Sequence, residues 1–346
     1  MRNEYIFFED LENIISTKRK ELAYLDGKTV LVTGATGLIG KMVVSSLLYY
    51  NEKENGHINI IIVVRNSEKA ISEFSKFDIS RLKIIVSDIN DKLICSENID
   101  YIIHAASNTS SKDFVSKPVD VIMTALRGTE NVLNLAVEKK VCSFVFLSTM
   151  EVYGMPTDDC KIDENFHTNL NTMNVRSSYP ESKRMCEQLC VAYMNQYGVP
   201  VKVMRLTQTF GPGVDYNDKR VFAEFARSVI ENKNIVLHTR GETKRNYLYI
   251  SDAVTAIFTV LINGKNGEAY NAANESTYCS IYEMAQMVAM ECSRNKIAVE
   301  ICIEDESKYG YAPELCMNLC TDKLKSLGWI PERSLCEMYE RLCLTM

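Results

Sequence analysis

The chain has 346 residues, of which 46% are hydrophobic and 24% charged. That allows one large globular domain or two smaller ones. A net charge of -6 lacks the basic stripe that a nucleic-acid partner needs, so an anionic ligand must be met by local arginines.

Twelve cysteines occur with no C-x-x-C pair, and the four histidines are scattered. This points away from a metal site and towards reduced thiols in the cytoplasm. Residues 1–26 carry Arg2, Glu4, Glu9, Asp10 and the run Lys18-Arg19-Lys20-Glu21, which does not read as a signal peptide. No apolar run approaches the roughly 20 residues that cross a bilayer, so no membrane partner is expected.

Within 1–26, Leu11, Ile14, Ile15 and Leu22 fall near helical spacing, which predicts a helical extension packed on the domain. Residues 28–33 read as a buried strand and 41–50 as a helix. Apolar runs follow at 58–64, 82–87, 101–105 and 143–148, with a helix over 119–139. Another helix begins near Tyr179, and a strand is expected at 200–205. Short apolar runs alternating with helices predict an α/β fold, a Rossmann-like doubly wound parallel sheet over 27–206. Beyond Thr207 the pattern is mixed. Helices are expected at 220–232, 251–262, 280–293 and 333–344, and short strands at 235–238 and 299–303. Residues 207–346 are therefore read as a smaller mixed α/β region that mainly binds substrate.

Three motifs carry the chemistry. Thr33 ends a strand, and Gly34, Thr36, Gly37, Leu38, Ile39 and Gly40 lead into a helix. Glycines let the backbone approach a dinucleotide pyrophosphate, and the helix N-terminus adds partial positive charge. Ser148 and Thr149 end a later strand. Tyr179 and Lys183, four residues apart, share one helix face. Together these motifs point to nicotinamide chemistry on an alcohol or ketone. The second strand ends in Arg65, where NAD enzymes usually place an acid for the ribose 2′-hydroxyl. An arginine suits a 2′-phosphate, so the reading leans to NADP over NAD. Asp88 and Ile89 are placed near the adenine, and Ala105, Ala106 and Ser107 along the cofactor channel.

The glycine loop, Asp88-Ile89, His104-Ala105-Ala106, Ser148-Thr149, Tyr179/Lys183 and Arg205…Gly211-Pro212 occur in an order that resembles the extended short-chain dehydrogenase/reductases. Specifically, the chain resembles the NAD-dependent epimerase/dehydratase group that acts on nucleotide sugars. The resemblance implies that Tyr179 exchanges a proton with a sugar hydroxyl during transient oxidation at C4. It also implies a homodimer built on helices 119–139 and 179–197. Free tyrosine titrates near 10; Lys183 and an oxidised nicotinamide ring would favour tyrosinate, and a drop of about three units corresponds to about 4 kcal/mol.

In the family's 4,6-dehydratases the threonine is followed by Asp-Glu; here it is followed by Met150 and Glu151. Met150 delivers no proton. The Thr-x-Glu pattern resembles UDP-glucuronate decarboxylases, with Glu151 either a base or a loop anchor. Gln208, Arg220 and Arg245 match segments that hold the substrate's nucleotide and diphosphate, a task suited to guanidinium forks. The chain departs from the family pattern at Thr243, where glutamine is usual, and at Ala125, where asparagine is usual. Two alternatives stay open: an NADP-dependent carbonyl reductase and a non-catalytic NADP-binding regulatory protein.

Overall fold

The structure, a computed structural model, describes residues 2–303 and 314–346. Helices α1 (Arg2–Thr17) and α2 (Arg19–Tyr24) precede β1 (Thr29–Thr33), which enters the glycine loop and α3 (Leu38–Glu54). Then come β2 (Asn59–Val64), α4 (Ser67–Phe74), β3 (Leu82–Val86), β4 (Tyr101–His104), α5 (Ser111–Ser116), α6 (Pro118–Lys139) and β5 (Ser143–Thr149). A 3-10 turn (Met150–Tyr153), β6 (Lys161–Ile162) and a second 3-10 turn (Val175–Ser177) lead to α7 (Ser178–Tyr197), β7 (Val201–Leu206) and β8 (Gln208–Phe210). The remainder is α8 (Val221–Glu231), β9 (Ile235–Leu237), β10 (Lys244–Tyr249), α9 (Ile250–Asn263), β11 (Ala269–Ala272), β12 (Asn274–Ser280), α10 (Ile281–Met287), β13 (Val299–Ile301), β14 (Cys316–Leu319), α11 (Asp322–Lys325) and α12 (Leu335–Thr345).

Seven parallel strands form the main sheet in the order β11-β7-β5-β4-β1-β2-β3. Their apolar runs alternate between two cores, as the period of a strand requires. Val30, Val32, Ile60 and Ile62 enter one core, while Leu31, Ile61 and Val63 enter the other. Burial on both faces is what a parallel sheet demands. The order turns around between β1 and β4, so the loops after these strands open a crevice at the carboxyl ends.

Downstream of Thr207, α9 contributes its buried side chains to the first core, and β11 is the edge strand of the main sheet. A second sheet has the order β12-β10-β14-β6, with β8 added on β10. The expected strands at 235–238 and 299–303 are β9 and β13, which pair only with each other. The expected helix over 280–293 is α10 followed by a π-helical turn, Val288–Cys292. The N-terminal extension packs onto the body. Leu11, Ile14, Ile15 and Leu22 are buried, and Asp10 accepts at 2.8 Å from both Tyr249 and Arg341.

Candidate active site

The glycine loop is shaped by close backbone approach. Gly34 has φ +67°, and a Cβ there would stand 2.7 Å from the Ala105 carbonyl carbon and the Ala106 nitrogen. Only glycine fits such a contact in the left-handed region. Gly37 caps α3 without a side-chain hydrogen bond, so the first-turn N–H groups are left for an anion. Beneath the loop, Thr33 Oγ1 accepts from the Ala106 N–H at 3.2 Å and bonds His104 Nδ1 at 2.7 Å. Burial drives the His104 pKa down to about 3, with the Lys183 charge adding to the effect, so the ring is a neutral bridge between Thr33 and Thr129.

A cleft of about 250 Å³ brings together Gly34, Gly37, Leu38, Ile39, Gly40, Ala105, Ser107, Ser148, Thr149, Glu151, Tyr179, Lys183, Gln208 and Arg220. Thr36 faces a neighbouring cleft with Lys41, Lys69 and Lys76. Arg65, Asp88, Ile89, Ala106 and Arg245 line neither cleft. Asp88 Oδ1 accepts from the Asn90 backbone, and Ile89 lies where a Cβ on Gly128 would touch it. Arg245 sits in β10 with a buried Nε that lacks a hydrogen-bond partner. In the cleft, Gln208 Oε1 is likewise buried without a partner.

Tyr179 and Lys183 share the buried face of α7, as their spacing predicts. Tyr179 stacks on Phe114 of α5, with ring centroids 4.2 Å apart and planes 6° apart. Its pKa is pushed up by burial first and by the Glu151 charge second; a hydrogen bond with Thr149 and the charges of Arg220 and Arg176 oppose the rise. Lys183 lies on the same face one turn further along α7. Its ammonium donates to the Leu147 carbonyl at 2.7 Å and lies 4.5 Å from the Phe146 ring centroid. Burial lowers the Lys183 pKa. Within the protein alone, desolvation of Tyr179 outweighs its cations.

The neighbouring polar groups are internally bound. Ser148 donates to Glu187 at 2.5 Å, and Glu187 also accepts from Arg205 at 2.7 Å. Arg220 donates to Asp218 through Nε and Nη2, at 3.0 and 2.6 Å. Glu151 accepts from Arg176 at 3.0 Å. Phe114, Arg176 and Arg205 complete the surroundings, and the motif spacing marks only Arg205. Glu275, Cys320 and Asp322 bring ligand-type atoms within 4.8 Å of one another, but Glu275 already accepts from Thr321, Lys161 and Lys325.

A glycine loop at a strand-order switch, a Tyr/Lys helix and a facing Thr define an extended short-chain dehydrogenase/reductase. Residues 30–273 match the model of the NAD dependent epimerase/dehydratase family, and the chain belongs to that family. It is 30% identical over 290 residues to UDP-glucuronic acid decarboxylase 1 of Xenopus tropicalis, covering 81% of this chain and 65% of that protein. It is 31% identical to UDP-glucuronic acid decarboxylase 3 of Arabidopsis thaliana, over 75% of this chain and 73% of that one. The chain thus spans slightly less than two-thirds of the Xenopus relative. The fold matches the UDP-glucose 4-epimerase of Thermotoga maritima with UDP-glucose, at TM-score 0.77 and 22% identity over 91% of this chain and 97% of that one. It also matches the dTDP-glucose 4,6-dehydratase DesIV of Streptomyces venezuelae with NAD and TYD bound, at 0.75 and 22% over 91% and 95%.

Proposed function

We propose that the protein modifies a nucleotide sugar through transient oxidation at C4, with decarboxylation of UDP-glucuronate as the net reaction. The observation that carries this reading is the convergence of Thr149, Tyr179 and Lys183 on the glycine loop in one cleft. The loop suits a dinucleotide, since the room at Gly34 excludes any Cβ and the start of α3 is uncapped. A bound nicotinamide dinucleotide would supply the two-electron acceptor for the sugar carbon. Leu38, Ile39 and Gly40 would hold its pyrophosphate through first-turn N–H groups.

Tyr179 takes the proton from the C4 hydroxyl, and Thr149 holds the phenol oxygen. Arg220 and Gln208 meet the polar part of the substrate. Glu151 is the cleft's carboxylate nearest this proton transfer, and Met150 beside it has no acid function. Decarboxylation fits that set, because carbon dioxide leaves a 4-keto uronate without a second carboxylate. The decarboxylase relatives support the same choice. We further propose NADP as the preferred cofactor, on Arg65 at the end of β2 and Lys69 in the first turn of α4, and a homodimer built on α6 and α7, where Met185 is 51% exposed. Arg65 also favours a second reading, an NADP-dependent carbonyl reductase.

Mass spectrometry of the purified protein, followed by a nucleotide-sugar panel, tests this function. A co-purified nicotinamide dinucleotide and turnover of UDP-glucuronate are expected. Turnover of simple ketones with none of the panel would transfer the assignment to the reductase.

A further inference from the structure

We propose that Arg176 is a positioning residue that fixes the Glu151 carboxylate and, through it, the charge felt by Tyr179; this rests on Tyr179 being the proton-transfer group. Glu151 lies in the 3-10 turn after β5, and Arg176 lies 25 residues later in the turn that opens α7. Arg176 Nη1 nevertheless donates to Glu151 Oε2 at 3.0 Å. The turn that carries Arg176 is itself held. Its backbone N–H donates to Asn174 Oδ1 at 2.9 Å, and the adjacent Ser177 hydroxyl donates to the Asn171 carbonyl at 2.7 Å. The guanidinium carbon lies 5.9 Å from the centroid of Phe114, the ring on which Tyr179 stacks. One ion pair therefore ties the segment carrying Glu151 to the one carrying Tyr179.

The charges around Tyr179 show what this pair does. Glu151 disfavours tyrosinate, while Arg220 and Arg176 favour it. Lys183, on the next turn of α7, is committed to the Leu147 carbonyl. Arg220 lines the cleft and donates to Asp218 rather than to Glu151. Arg176 is thus the cation bonded to the very carboxylate that opposes tyrosinate. Without it, Glu151 acts on Tyr179 uncompensated and swings free of its fixed orientation. Both side chains are only partly exposed, at 31% and 29%, so the attraction is less screened than in an open surface pair.

The test is a double-mutant cycle of Arg176→Ala and Glu151→Gln, with Arg176→Lys as the conservative variant. With UDP-glucuronate as probe, Arg176→Ala should move the rising limb of the kcat/KM pH profile up by about one pH unit. That is about ten-fold less activity near neutral pH, since one unit is a ten-fold change in ionised fraction. Arg176→Lys should retain most of the activity. In the Glu151→Gln background, Arg176→Ala should move the limb less than half as far. An unmoved limb, or the same shift in both backgrounds, would overturn the proposal. Failure of the underlying reading looks different: Tyr179→Phe would then keep a wild-type profile. Urea midpoints of the four proteins need no substrate; non-additive midpoints are expected, and additive ones would also overturn the pairing.

Discussion

The two sides of the cleft are built differently. On the side of the main sheet, Thr33, His104, Ser148, Lys183 and Arg205 all spend their polar atoms on named protein partners. Towards the second sheet, Gln208 Oε1 in the cleft wall and, away from the cleft, Arg245 Nε and the Tyr247 hydroxyl are buried with no hydrogen-bond partner among the described residues. Buried polar atoms are nearly always satisfied, so an orphan calls for an explanation. The contrast teaches a division of labour. On the main-sheet side the polar groups are held by protein partners, which is the pre-organisation that the proposed proton transfer calls for. Of these atoms only Gln208 Oε1 belongs to a residue that lines the cleft, and it is the one available to the substrate contact proposed above.

Substitutions on the main-sheet side should differ in size according to what each group does. Tyr179→Phe removes the proton-transfer group from the locked side and should cost the most: turnover falls by about 10²–10⁴-fold or more, while cofactor affinity stays within a few-fold. Steady-state kinetics beside cofactor titration checks this, and wild-type kcat in the Phe variant would end the assignment. Glu151→Gln comes next: if Glu151 acts as a base after oxidation, the variant should lose about 10²-fold and build up the reduced-nicotinamide absorbance band without product. Normal turnover would make Glu151 a loop anchor. Arg65→Ala should weaken NADP about ten-fold or more and leave NAD nearly unchanged, because a charge-assisted hydrogen bond contributes about 1.5–3 kcal/mol. Tighter NAD than NADP binding by the wild type would contradict that lean.

A smaller effect lies in pH. His104 has an ordinary value of 6.5 and a folded value of about 3. Its folded value is depressed, so its neutral-state contribution is complete above pH 6.5 and is lost as the pH falls towards 3. Urea midpoints should decline across that window in the wild type and be flatter in His104→Gln. The smallest effect should be dilution of the proposed homodimer: light scattering at micromolar concentration should still show twice the chain mass, and a single-chain species there would rule the dimer out.

The main sheet was legible because its signals are local. Apart from β11 its strands are mainly apolar runs, and Gly34 to Gly40 lie within one strand-turn-helix unit. The Tyr179/Lys183 pair needs only the helix period. The second sheet was not legible, because β6, β8 and β14 are two to four residues long and are held by partners far away in sequence, as in the pairing of Lys161 with Asn318. Polar residues also break up the longer β10, which opens Lys244-Arg245-Asn246, and β12, which opens Asn274-Glu275-Ser276, whereas the three-residue β9 is wholly apolar and was legible. β11 escaped because Asn271 interrupts its apolar run, although it closes one edge of the main sheet. Within the site, Thr149, Glu151 and Tyr179 followed from motif spacing. The partner of Glu151 did not, because the loop that brings Arg176 back carries no pattern. The Lys183 bond to the Leu147 carbonyl carries no sequence signal either, because it is set by how β5 and α7 pack.

The most direct test of the account is to incubate the purified protein with UDP-glucuronate and follow carbon dioxide together with the nucleotide-sugar mass. The wild type should release carbon dioxide and form a UDP-pentose, and Tyr179→Phe should do neither. Recovery of UDP-glucuronate with its carboxylate intact, under conditions where the wild type binds both cofactor and nucleotide sugar, would contradict it.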